Sequence, residues 1–159
     1  MNPRIVLIVA LLSAAPALYA QDPDPQSAIQ LDLRVGSTSY VVSARGTCLA
    51  QPHGTLYDVP AEQWSARHRD AQRYANLSFW RVRNSGDMFN LGVLLGSTMH
   101  RISTVNVQGH GDTHGAGRVT FTPNGGGGAF VIDATADTGA RITGSITCEA
   151  FVKPVEDNG

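Results

Sequence analysis

GGGGAFVIDATADTGARITGSITCEAFV, residues 125–152, is the stretch whose reading decides the fold. Four glycines make a turn. Residues 129–134 then read as a strand with Phe130 and Ile132 inward. Residues 136–139 turn again. Residues 141–150 read as a long closing strand with Ile142, Gly144, Ile146 and Cys148 on one face. Cys148 is one of only two cysteines, and the other, Cys48, stands a hundred residues earlier. A pair between them ties the last strand to one of the first.

The same period-two pattern recurs upstream. Ile29, Leu31, Leu33 and Val35 alternate with Gln30, Asp32 and Arg34, which predicts a half-buried strand. Gly36-Ser37 predicts a tight turn, and residues 38–44 return with Tyr40 and Val42 on one face, delivering Cys48 to the core. Residues 77–83 and 88–95 read as two further strands, the second with Phe89, Leu91, Val93 and Leu95 together. Residues 98–108, 118–122 and 129–134 follow. Eight to nine short strands with frequent turn signals predict a mainly β fold: an antiparallel β-sandwich, with a small β-barrel as the alternative.

One segment departs from this pattern. In AEQWSARHRDAQRYA, residues 61–75, Trp64, His68, Ala71 and Ala75 follow a helical stripe, and Pro60 suits a helix start. One short helix is therefore expected here. Residues 51–59, with Pro52 and Gly54, are expected to be mostly loop.

The 159 residues suffice for one domain. Residues 1–20 have a basic residue, an apolar run and a small-residue region, the layout of a secretory signal peptide. The run is shorter than the roughly 20 residues that span a bilayer. Residues 21–28 read as a polar, proline-rich lead-in, 29–152 as the single β domain and 153–159 as a polar tail. Two cysteines in an exported chain read as one Cys48–Cys148 disulfide, and the expected location is periplasmic or secreted. The net charge of −1 predicts no general attraction to nucleic acid, despite Arg81 and Arg83 beside Phe79 and Trp80. No membrane insertion is expected once residues 1–20 are removed.

One cluster stands out chemically. In His110-Gly111-Asp112-Thr113-His114, extended backbone sets two imidazoles and a carboxylate on one face, which is zinc-ligand chemistry with an open position. His53, His68 or His100 would supply a third imidazole. The spacing matches no established zinc motif, and a plain polar connection is the competing reading. Nucleophile elbows and phosphate loops are absent from the sequence.

The early Gly46-Thr47-Cys48, the glycine-rich loop before Phe130-Val131-Ile132-Asp133, and the closing Gly144-Ser145-Ile146-Thr147-Cys148 resemble small exported bacterial β-sandwich proteins of the mycobacterial lipoprotein-antigen type. The resemblance covers about residues 30–151 and implies a fold, an early-to-last-strand disulfide and a compartment, but no activity. This chain differs in lacking a lipid-attachment cysteine and in its expected helix. Two functions follow as expectations. The first is an exported, non-catalytic protein that binds a protein partner or a small apolar ligand, with Trp64, Phe79, Trp80 and Phe89 available to line a pocket. The second is a metal-binding module or metal-dependent hydrolase that uses His110, Asp112 and His114.

Overall fold

The computed structural model describes residues 26–154; the expected signal peptide, most of the lead-in and residues 155–159 lie outside the described residues. Ten strands form one antiparallel sheet: β1 (Gln26–Val35), β2 (Thr38–Leu56), β3 (Val59–Arg69), β4 (Arg73–Val82), β5 (Gly86–Leu95), β6 (Thr98–Thr104), β7 (Thr113–His114), β8 (Ala116–Asn124), β9 (Gly127–Thr135) and β10 (Arg141–Cys148). Their order is β7-β6-β5-β4-β3-β2-β1-β10-β9-β8. Strands adjacent in sequence are paired except β7 and β8, which stand at opposite ends of the order, and β10 closes onto β1, so most connections are short hairpins. The sheet curls into a half-barrel. The β-rich expectation and the disulfide hold, whereas the sheet is neither a clear two-layer sandwich nor accompanied by a helix among the described residues.

The expected helix at 61–75 is instead the β3–β4 hairpin. Trp64, Ala66 and His68 point inward and pair with Phe79, Leu77 and Ala75, while Arg67 and Arg69 point out. The turn is held by Asp70, whose carboxylate accepts the backbone N–H groups of Gln72 (3.0 Å) and Arg73 (2.8 Å) and the Arg73 Nε–H (2.8 Å). Propensity favoured a helix, but strands on both sides offered backbone partners and an aromatic surface for Trp64. The expected loop at 51–59 is also sheet. β2 runs on to Leu56 through a one-residue bulge between Gln51 and Gly54, which accommodates Pro52 at a position that requires no ladder donor. Tyr57 and Asp58 (φ 49° and 64°) make the two-residue turn into β3.

Burial on the inner face follows the alternation. Ile29, Leu31, Leu33, Leu77, Phe79, Leu91, Val93, Phe130, Ile132, Ile142 and Ile146 form one continuous core. At one end an aromatic group seals it: Phe121 lies 4.7 Å from Trp64 and 4.7 Å from Phe130 by ring centroids, with Phe79 at 5.9 Å and Phe151 at 5.8 Å. β8 thus reaches across the curl to β3 and β4, far from it in strand order. The segment after β10 crosses the same end, where the Val152 N–H donates to the Cys48 carbonyl and the Phe151 N–H to that of Gly126. The Cys48–Cys148 bridge links β2 to β10 beneath it.

The bulge shifts the alternation of β2, so that Leu56 faces out near the Tyr57 turn. There Ala61, Val82 and Met88 form a second cluster on the outer face, with Leu56, Val59 and Trp80 packed against it. Val105 and Val107, from the segment after β6, cover that cluster.

Candidate functional site

The segment that covers the second cluster carries the histidines singled out in the sequence. Val107 and His110 exchange two backbone hydrogen bonds of 2.8 Å around Gln108-Gly109, a turn with positive φ at both residues. This points the His110 ring at Tyr57, on which it stacks at 5.8 Å. Two residues on, Asp112 and His114 face each other, with Nδ1 to Oδ2 3.4 Å. They line a groove of about 350 Å³ together with Tyr57, Asn90, Met99 and Arg101. The turn after β9 approaches the same residues: the Arg101 N–H donates to the Asp137 carboxylate at 3.0 Å. That bond is the largest influence holding the Asp137 carboxyl below its usual range, with smaller help from the Thr138 N–H and from the charges of His114 and Arg101.

The three residues of the expected metal site are thus arranged as a pair and a separate ring. Among the described residues, no three His, Cys, Asp or Glu side chains come together as a metal-holding group. The other imidazoles are used elsewhere. His53 is exposed in the bulge, His100 is hydrogen-bonded through Nδ1 to Thr138 Oγ1 at 2.7 Å, and His68 lies inside the sheet.

His68 forms a buried polar contact between inner side chains that sequence reading did not pair. Its Nδ1 lies 2.7 Å from the Tyr40 hydroxyl, and both groups are buried. Burial lowers the His68 pKa; the Asp70 charge opposes this and that of Arg73 adds to it. Burial, with the Asp70 charge, pushes the Tyr40 phenol up to about 12, against the Arg73 guanidinium that lies 4.7 Å over its ring. The Asp70 carboxyl is held at about 2 by the Gln72 N–H and Arg73. Histidine at an inward strand position, opposite Ala75, was the only signal available in the sequence.

The aromatic residues considered for a ligand pocket divide between the two faces. Trp64, Phe79 and Phe89 belong to the inner core, and Trp80 belongs to the outer cluster beside Met88. The inner rings fill the curl rather than line a space within it.

The outer face of β2, β1, β10, β9 and β8 is different in character. Its registers set residues in rows that cross five strands: Val41, Asp32, Ser145, Val131 and Thr120 in one, and Ser43, Gln30, Thr147, Ala129 and Thr122 in the next. Both rows are almost free of charge. Val41 and Val131 are exposed by 61% and 56%. The third row, Ser39, Arg34, Thr143, Asp133 and Arg118, carries the charges, and Arg141 beside it bonds Asp133 at 3.0 Å.

Fold and surface define a curled antiparallel sheet with a filled inner face and a broad, exposed outer one. Comparison with protein families, with curated proteins and with solved structures found no match to this chain.

Proposed function

We propose that the chain is an exported, non-catalytic binding protein that engages a protein partner in the cell envelope or outside the cell through its outer sheet face. The observation that supports this most is the nearly uncharged pair of rows across β2, β1, β10, β9 and β8, with Val41 and Val131 exposed in the same row. Exposed valines set among hydroxyls on a wide, regular surface suit burial against another protein. A small apolar ligand inside the curl is disfavoured because Trp64, Phe79, Phe121 and Phe130 occupy that space. Export is supported by the layout of residues 1–20 and by a disulfide that suits an oxidising compartment.

The test is a photoreactive side chain placed at Val41, at Val131 and, as control, at the exposed turn residue Ser85, in cells of the source organism. The proposal expects an adduct of the same mass from positions 41 and 131 and none from 85, on a protein whose mass shows loss of residues 1–20. Absence of adducts at 41 and 131, or equal adducts at all three, overturns it.

A second reading, a zinc-binding module, is supported by the Asp112–His114 contact and by the position of Asp137 near His114. It requires solvent or a movement of His110 to complete the ligand set. Zinc titration of the wild type beside a His110→Ala/His114→Ala double variant separates the two. Stoichiometric zinc lost in the variant favours the metal module; zinc retained equally, or no zinc, removes it.

A further inference from the structure

On the outer face, next to the nearly uncharged rows, β1 to β4 enclose a groove of about 490 Å³ lined by Gln26, Arg45, Thr47, Arg67, Arg69 and Tyr74. We propose that this groove is a binding site for a phosphate group, free or carried by a small organic molecule.

Three arginines line it, and among the described residues no carboxylate does. Arg45 comes from β2 and Arg69 from β3, and both line the same groove. Neither guanidinium is neutralised by an ion pair among the described residues. Arg45 donates from Nη2 to the Gln26 carbonyl at 2.7 Å, and Arg69 lies 5.4 Å over the Tyr74 ring. Each is therefore held in place by a neutral contact. A guanidinium has five N–H donors in a planar fork, and one contact of this kind leaves most of them for a ligand.

The strands themselves are held close here. Gly46, between Arg45 and Thr47, is buried, and a side chain on it would run into the Arg67 carbonyl and Ile29 at about 2.6 Å. Buried Thr47 is part of the groove's lining. The groove is thus a rigid, polar concavity with positive charge from two sides. Guanidinium forks from two strands match a tetrahedral anion with several acceptor oxygens better than a single planar carboxylate. The chain as a whole has a net charge of −1, so the gathering of arginines here is not a by-product of a basic protein.

The test is an amide chemical-shift titration of the isotope-labelled, purified protein with inorganic phosphate and, separately, with a hexose 1-phosphate. The variants are Arg45→Ser/Arg69→Ser, Arg69→Lys and, as control, Arg118→Ser on β8. Saturable shifts centred on Arg45, Gly46, Thr47, Arg69 and Tyr74 are expected in the wild type and the control, weakening as sodium chloride is added. The double variant loses affinity by on the order of tenfold or more, and Arg69→Lys falls between because it keeps the charge but loses the fork. Tighter binding of the ester assigns the site to a phosphorylated molecule; equal binding assigns it to the free ion. No saturable shifts in the wild type, or affinity unchanged in both groove variants, overturns the proposal. Should the double variant fail to keep the wild-type spectrum elsewhere, Arg69→Lys alone decides.

Discussion

Phe121→Ala removes the ring through which β8 reaches β3 and β4. Phe121 is buried and meets Trp64, Phe79, Phe130 and Phe151 at centroid distances from 4.7 to 5.9 Å. Truncation of a core phenylalanine to alanine costs about 3–5 kcal/mol, from lost transfer energy and the cavity left behind. β8 is an end strand, paired only with β9, so it can relax partly into the gap. The lower part of that range, about 3–4 kcal/mol, is therefore expected. The assay is urea unfolding with the disulfide intact, followed by tryptophan fluorescence. With a denaturant dependence of about 2 kcal/mol per molar, the midpoint falls by about 1.5–2 M. Phe121→Leu, which refills part of the cavity, recovers a substantial fraction. Trp64 emission shifts to the red in the native Phe121→Ala protein, because that indole loses the ring at 4.7 Å. A midpoint change of under about 0.5 M with unchanged emission would show that β8 does not close the curl against β3 and β4.

Replacing Cys48 and Cys148 together by alanine removes a link between residues 100 apart, and the chain-entropy model gives a loss of about 4.7 kcal/mol; calorimetry under oxidising conditions checks this, and a loss of under about 1 kcal/mol would contradict it. Gly144→Ala places a methyl against the Asp32 carbonyl at φ 128°, where non-glycine residues are strained, so the β1–β10 pairing is expected to lose about 3 kcal/mol or more; protection of the Asp32 and Ser145 amides in hydrogen exchange reports it. His68 has a lowered pKa in the fold, so the unfolded chain takes up its proton first as pH falls, and the stability from neutral His68 declines below about pH 6.5. Urea midpoints between about pH 7.5 and 5 should therefore fall in the wild type and fall less in His68→Gln, which keeps a partner for Tyr40. Asp70 and Asp137, both with lowered pKa values, lose their contribution only at more acid pH. Equal pH slopes for the two proteins would refute the role of His68.

Regular alternation was enough to place β1, β5, β9 and β10 by face, because their inward residues are mostly large and apolar, even though Met88 and Val131 stand outward. Cys48 and Cys148 were legible from their number alone. The β3–β4 hairpin was not. Its inward positions hold Ala66, His68 and Ala75, which carry little hydrophobic signal, and its strong residue, Trp64, fits a helical stripe equally well. What makes it sheet is non-local: Ala66 is small because Leu77 and Cys48 face it from both sides. The end of β2 was hidden for a related reason, since the bulge at Pro52 breaks the alternation just where the outer cluster begins. The histidine segment was legible as an irregular, polar connection. Its geometry was not, because the turn at Gln108-Gly109 and the Tyr57 ring, fifty residues away in sequence, decide where His110 points. The arginine groove was invisible as a unit: Arg45 lies on one strand and Arg67 and Arg69 on the next, and only the folded sheet brings them to one groove.

The central claim is that the inner face of the sheet is filled and that binding takes place outside it. Titration of the purified protein with a neutral apolar dye tests this most directly, since a neutral dye is not drawn to the arginine groove. The account predicts no saturable fluorescence gain in the wild type and the appearance of one in Phe121→Ala, where a cavity opens among Trp64, Phe79 and Phe130. A stoichiometric dye site in the wild type, displaced by a fatty alcohol, would contradict it and make the curl itself a ligand pocket.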